Sequence, residues 1–142
     1  MESPADILAG QRILAVVVVT PEATVLETPA QFVALPLYDG EIGIAPGRAP
    51  LIGRLGYGEM RIVEGTQTRR YYVDGGFLEI SGNTVTVLTN RAVPAAELDV
   101  EAAQQQLDEA IRRPTNTEER LAIRDRLILQ ARSQIRTAGR AG

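Results

Sequence analysis

The stretch TVTVLTNRAVPAAELDVEAAQQQLDEA, Thr84 to Ala110, changes its period halfway along. Thr84 to Thr89 alternates small polar with branched apolar side chains, the pattern of a half-buried strand whose successive residues point to opposite faces. From Val100 the apolar positions are Val100, Ala103, Leu107 and Ala110, three and four apart, which draws one stripe down a helix. Asp99 stands just ahead of them, where its carboxylate accepts a hydrogen bond from an otherwise free N–H of the first turn. Arg91-Ala92-Val93-Pro94-Ala95-Ala96 lies between the two patterns and reads as a linker.

Everything upstream of this boundary reads as β, with branched runs broken by Gly and Pro at short intervals. Ile13 to Val19 is a buried strand ended by Thr20-Pro21, and Ala30 to Leu37 is a second, ended at Pro36 and the turn Asp39-Gly40. Glu41 to Ile44 is short and alternating. Gly58 to Val63 puts Met60 and Ile62 on one face and Glu59 and Arg61 on the other. Arg70 to Val73 ends at Asp74-Gly75-Gly76, and Phe77 to Ile80 leads into the turn Ser81-Gly82-Asn83. Many short strands with frequent turns predict a sandwich or a barrel.

Downstream, Gly is absent until Gly139 and Ala, Gln, Leu, Glu and Arg dominate. Pro114 ends the first helix, and Thr115 with Glu118 fits a capping box for a second. That helix carries Leu121, Leu127, Ile128, Ala131 and Ile135 on one broad face, and Gly139 is placed to terminate it. Two amphipathic helices joined by a short Pro-containing turn make an antiparallel hairpin. The first helix is acidic, with five acids and no base from Glu97 to Glu109. The second is basic: Arg112 to Arg140 holds eight Arg against Glu118, Glu119 and Asp125. Opposite charge on hairpin partners is mutually attractive and suits the helix dipoles; it also leaves a basic helix able to meet an acidic partner. The expected division is an arm over 1–12, a β-domain over 13–93 and the helical hairpin over 94–142.

Composition narrows the chemistry. With 44% hydrophobic residues but only 4% aromatic and no Trp, the core must be built from Val, Ile, Leu and Ala. The chain has no Cys and no His, which removes disulfides, thiol nucleophiles, thiolate or imidazole metal sites, and any base that depends on His. A net charge of −3 argues against general nucleic-acid binding, which needs excess positive charge to neutralise phosphates. The longest apolar run, Ile13 to Val19, is far below the roughly 20 residues a membrane helix needs, and the acidic N-terminus is unlike a targeting peptide.

No motif supplies a reaction. Gly53-Arg54-Leu55-Gly56-Tyr57-Gly58 lacks the Lys-Ser/Thr pair of a phosphate loop, does not match GxGxxG and precedes no helix, so its glycines read as turn-makers. Asp39, Glu41, Glu59 and Asp74 read as solvated acids, and Arg69-Arg70 as a charged strand edge that discourages aggregation. The residues alone describe a β-domain with a helical hairpin, a binding or structural module. A free-standing β-sandwich adaptor is one such module.

Three blocks then carry a family resemblance. Asp39-Gly40-Glu41-Ile42-Gly43-Ile44-Ala45-Pro46-Gly47-Arg48-Ala49-Pro50-Leu51 is similar to the signature G-E-[IL]-G-[IV]-x-P-x-H-A-P-[LI] of the epsilon subunits of F-type ATP synthases. Gly58-Glu59-Met60-Arg61-Ile62 resembles that family's G-x-[ILM]-R-[IV] strand. Gly75-Gly76-Phe77-Leu78-Glu79-Ile80, followed by Asn83 to Leu88, resembles its G-G-[FIV]-x-E-[IV]…[NK]-x-V-[TS]-[VI]-L segment. The likeness runs from about Ile13 to about Ile135.

The resemblance implies an all-β N-terminal sandwich of about ten strands plus a C-terminal two-helix hairpin. It implies a non-catalytic rotor subunit of the central stalk, which couples proton flow through the ring of c subunits to rotation of gamma, while the chemistry stays on beta. Asp39, Glu41, Arg48, Ala49 and Pro50 map onto the region that meets gamma and the c-ring. Arg48 stands where the family usually has His, so a cation is kept and a titratable group is lost. The hairpin blocks ATP hydrolysis in many bacterial members when it extends into the catalytic head, and Arg124, Arg126, Arg132 and Arg136 would then face acidic segments of the alpha and beta subunits. Some members bind ATP through [IL]-D-x-x-R-A. Here Leu98 and Asp99 fit but Ala102 replaces the Arg, which predicts weak or no ATP binding; no cofactor and no metal are expected. The implied location is the cytoplasmic face of the bacterial plasma membrane, with membrane contact only through the complex.

Overall fold

The computed structural model describes residues 13–140; the expected arm over 1–12 lies outside them. Eight strands come first: β1 (Leu14–Val19), β2 (Thr24–Ala30), β3 (Phe32–Leu37), β4 (Gly40–Ile44), β5 (Leu51–Glu64), β6 (Gln67–Ser81), β7 (Thr84–Leu88) and β8 (Ala92–Pro94). A 3-10 turn, Ala95–Glu97, leads to the helices α1 (Val100–Ile111) and α2 (Glu118–Arg140).

The strands run in the order β2-β1-β7-β6-β5-β3-β4, with β8 paired to β6. The β1–β7 pair is parallel and the others are antiparallel. β5 and β6 are long, and each serves two layers. Leu51 to Leu55 of β5 pairs with Gly76 to Ile80 of β6, whereas Tyr57 to Glu64 pairs with Gln67 to Asp74. β7 and β1 extend the first half, and β3, β4 and β8 flank the second. Counting the two long strands once in each layer turns the eight strands into the expected ten. The layers close on one core, in which Leu14, Val16, Val18, Leu78, Ile80, Val85 and Val87 from one side meet Val33, Leu35, Ile42, Ile44, Met60, Ile62 and Val73 from the other.

The glycine run is not a set of turns. Gly53, Gly56 and Gly58 lie inside β5, at the corner where the sheet passes between layers. A Cβ on Gly56 would sit 2.7 Å from the carbonyl oxygen of Leu37, so the glycine is needed for close backbone approach rather than for reversal. Its partner corner is Gly75-Gly76, with φ of 72° and 108°. The expected turn at Asp74-Gly75-Gly76 is therefore a bend within one continuous strand. A Cβ on Gly76 would fall 1.8 Å from the oxygen of Leu88, a position open only to glycine.

Two further expectations change. Thr24–Ala30, not anticipated as a strand, forms β2; Pro29 inside it is tolerated because β2 is an edge strand. The segment read as a linker pairs its Ala92-Val93-Pro94 with Tyr71 to Val73, because those backbone groups find partners on β6 instead of water.

Asp99 caps α1 as its position predicts, accepting from the Ala102 N–H at 3.0 Å. The second cap is Thr117, which accepts from the Arg120 N–H at 3.1 Å, not Thr115. Chain reversal occupies all of Arg112 to Thr117, so the first helical residue is Glu118. Gly139 does not end α2, which continues to Arg140; no left-handed conformation occurs there.

Candidate functional site

Alternation decides which side chains leave the core. Met60 and Ile62 point inward, so Glu59 and Arg61 occupy the outer face of the second layer, with Ala34 on β3 and Arg70, Tyr72 and Asp74 on β6. α2 packs across β5 and β6 on this face. Ala34 and Tyr72 are fully buried although neither belongs to the sandwich core. On the helix side the buried residues are Ala131, Ser133, Gln134 and Thr137. Leu127, Ile128 and Ile135 are half-buried, and Leu121 is 41% exposed. The broad apolar face expected on α2 is thus centred on small and polar residues at its most buried points.

The reading of the acids as solvated is corrected here. The Glu59 side chain is 3% exposed and takes two guanidinium groups, Arg61 at 3.3 Å and Arg70 at 3.0 Å. Arg61 also reaches Glu41 at 3.3 Å, which makes a chain Glu41–Arg61–Glu59–Arg70. Arg70 is a partner for a buried carboxylate, and at Arg69 and Arg70 β6 pairs with β5 alone, so the charged edge stands as expected. Asp74 binds Tyr72 and Gln130 instead of water. Asp39 and Glu41 remain exposed, and no pair of these carboxylates converges on a shared reaction centre.

The expected partner residues fall along β4, the last strand of the order. Asp39 lies in the turn before it and Glu41 on it; Arg48, Ala49 and Pro50 follow it in an exposed loop. The two groups are separated by the length of β4, roughly 13 Å at about 3.3 Å per residue. Their backbones lie at opposite ends of β4, although the Arg48 guanidinium reaches back to Gly43, two residues from Glu41. The loop is held in shape, since Arg48 donates to the Gly43 carbonyl at 3.2 Å and the Gly47 N–H donates to Asn83 Oδ1 at 2.9 Å.

The expected inhibitory arginines are not on one side of α2. Arg126 and Arg136 line a groove between the helix and the sandwich, opposite Tyr38, Arg54 and Tyr57. Arg132 is exposed, and Arg124 is half-buried beside Asp125 at 3.4 Å. In the remnant of the nucleotide motif, Leu98 is half-buried, the Asp99 carboxylate is engaged as the α1 cap, and Ala102 offers only a methyl group.

One surface escaped the sequence reading. On the outer face of the first layer Ile52, Phe77 and Leu88 are 75%, 57% and 48% exposed. Phe77 pairs directly with Leu88 and with Arg54, two residues along from Ile52. Arg54 in turn stacks on the exposed ring of Tyr38, 4.6 Å from its centroid. The signal was legible: in Thr84 to Leu88, Val85 and Val87 take the inward face, which turns Leu88 outward.

Residues 13–95 match the family model described as the beta-sandwich domain of the ATP synthase Delta/Epsilon chain. The chain is 48% identical over 122 residues to the ATP synthase epsilon chain of Rhodopirellula baltica, an alignment that covers 86% of this chain and 95% of the relative. It is 38% identical over 118 residues to that of Bordetella avium, covering 80% and 84%. Among solved structures it superimposes with a TM-score of 0.74 on a chain of the Euglena gracilis mitochondrial ATP synthase, at 22% identity, over 92% of this chain and 81% of that one. A chain of the central stalk and c-ring structure of the Tetrahymena thermophila mitochondrial enzyme gives 0.65 at 16% identity, over 90% and 95%. These two likenesses concern the fold.

The fold is a two-layer β-domain carrying a helical hairpin, and the matched family model places it in the class of ATP synthase Delta/Epsilon β-sandwich proteins. The chain belongs to the ATP synthase epsilon-chain family, and its role is that of a non-catalytic stalk subunit. Among the described residues no helix is long and apolar enough to cross a membrane.

Proposed function

We propose that the sandwich seats on the gamma subunit and the c-ring and transmits rotation between them, and that the hairpin is a detachable brake on ATP hydrolysis. The observation that carries the first part is the exposed apolar strip Ile52–Phe77–Leu88, which continues into the loop Arg48-Ala49-Pro50 at the start of β5. An apolar strip with a polar rim is what a stable protein partner covers. The relatives' name and the neighbours' central stalk and c-ring point to gamma and the ring as the occupants. On this reading the chain is held at the cytoplasmic face of the bacterial plasma membrane through its partners. Co-purification tests it: the chain should bring gamma with it stoichiometrically. Phe77→Asp should weaken that capture by about 30-fold, the scale of a 2 kcal/mol hot spot. Undiminished capture would remove the strip from the interface.

The brake is supported by the polar character of the α2 seat and by the arginines along that helix. Extended, Arg124, Arg126, Arg132 and Arg136 would meet acidic segments of alpha and beta. Deleting residues 115–142 should raise hydrolysis by the assembled complex, and unchanged hydrolysis would sink this part. ATP does not control the hairpin on this reading, since Ala102 has no charge for a phosphate and Asp99 is already engaged. Calorimetry on the chain should detect no low-micromolar ATP binding.

A further inference from the structure

We infer that Asp74 is the positioning residue that latches α2 to the sandwich, by acting as a shared acceptor for a donor from the sheet and a donor from the helix. Its regulatory meaning rests on the detachable-brake reading above; the latch itself does not. The backbone around Asp74 is held from several directions. Its N–H donates to Thr89 Oγ1 at 3.0 Å and to the Arg91 carbonyl at 3.2 Å, and its carbonyl accepts from Asn90 Nδ2 at 3.2 Å. The carboxylate is thereby aimed at the outer face just before the Gly75-Gly76 bend. There a single oxygen, Oδ1, accepts from the Tyr72 hydroxyl at 2.8 Å and from Gln130 Nε2 of α2 at 3.0 Å.

Both donors are secured. Tyr72 is fully buried, and burial, reinforced by the charge of Asp74, pushes its phenol well above the ordinary 10.0, so it stays protonated and donates. Gln134 of α2 lies beside the same phenol. Hydrogen bonds to an ionised acceptor are about twice as strong as neutral ones. The fully buried helix residues are one alanine and three polar side chains, and Leu127, Ile128 and Ile135 are only half-buried. The other carboxylate under the helix, Glu59, engages Arg61 and Arg70 of its own sheet through Oε1, and no helix residue donates to it among the described residues. When α2 lifts away, Gln130 returns to water and Asp74 keeps Tyr72, so release leaves no unpaired charge behind. That makes the latch reversible.

The test uses the full chain alone, and the absence of native cysteine makes a single introduced thiol unique. Ser133 is 1% exposed and its hydroxyl has no partner among the described residues, so Ser133→Cys reports on lifting of α2. Val85→Cys, at a fully buried core position, reports on opening of the sandwich. Asp74→Ala and Gln130→Ala should each speed maleimide reaction at the first site about tenfold or more and leave the second unchanged. Asp74→Asn with Gln130→Glu reverses the polarity of the bond and should restore protection. If Asp74→Ala prevents folding, Gln130→Ala, which alters only the helix side, decides the matter alone. An unchanged rate at Ser133→Cys would overturn the latch, as would equal acceleration at both sites or no recovery in the double variant. Because hydrolysis is not measured, the latch can stand if the brake fails, and fall if the brake is real.

Discussion

The two buried regions of this molecule are built on opposite terms. Inside the sandwich, Leu, Ile, Val and Met dominate the buried side chains, with Thr28 of the edge strand at their margin, and each such apolar side chain contributes on the order of 1.5–3 kcal/mol when fully buried. Beneath α2 the buried set is Ala131, Ser133, Gln134 and Thr137 against Ala34, Glu59 and Tyr72. A net hydrogen bond there contributes only about 1 kcal/mol. The first region defines a permanent scaffold. The second holds, on the proposed reading, an element that can leave, since its most buried helix residues are small or polar. The proposed rotor role with a movable hairpin needs both, and the division follows the chain: the sandwich ends at β8 and the hairpin begins after it.

The largest test of this contrast is at the corner that makes the scaffold. Gly76→Val places side-chain atoms on the Leu88 carbonyl and should cost more than about 4 kcal/mol, so the chain should not fold as judged by circular dichroism. A marginally stable but folded variant would show that the corner can open. Next, Leu78→Ala removes a fully buried core side chain and should lower unfolding stability by about 2–5 kcal/mol in urea. No single substitution at Ser133 or Thr137 should reach that figure. If one does, the seat is as integral as the core.

Alkaline pH separates the two regions more finely. The raised Tyr72 phenol means that the folded form prefers the protonated ring. Its stabilisation is complete below the ordinary 10.0 and is lost as pH rises above it. Tyrosinate absorbance should show one of the four tyrosines ionising last, together with loss of helix–sheet contact, and Tyr72→Phe should abolish that step. Early ionisation of all four would place Tyr72 in contact with water. The smallest effect is expected at the hairpin's entrance, where Asp99→Ala removes the α1 cap and should cost about 1 kcal/mol without moving the sandwich transition.

Some of this was legible from local pattern alone. Period-two alternation marks β1 and β7, three-four spacing marks α1, and the Asp99 cap needs only the residue and the turn that follows it. The errors share a cause, which is dependence on residues far away in sequence. Thr24–Ala30 has no clear alternation, and it forms a strand because β1 lies beside it and its Pro29 falls on an edge. Gly56 and Gly76 suggested turns until Leu37 and Leu88 were found against them. Thr115 and Thr117 are equally able to cap, and the length of the chain reversal chose between them. The expected partner residues from Asp39 to Pro50 were visible as a motif, but their placement along β4 was not, because it depends on which strand ends the sheet.

By itself the sequence determined the change from β to α near Asp99, the apolar inward face of most strands, and, through its ordered motifs, the family. Those signals are carried by neighbouring residues and need no third dimension. Only the tertiary structure decided that Glu59 and Tyr72 are buried, that Arg70 is also the ion-pair partner of Glu59, and that Asp74 joins the sheet to a helix residue 56 positions away. Burial and pairing depend on what the fold brings opposite each residue, and the short-range pattern does not contain that information.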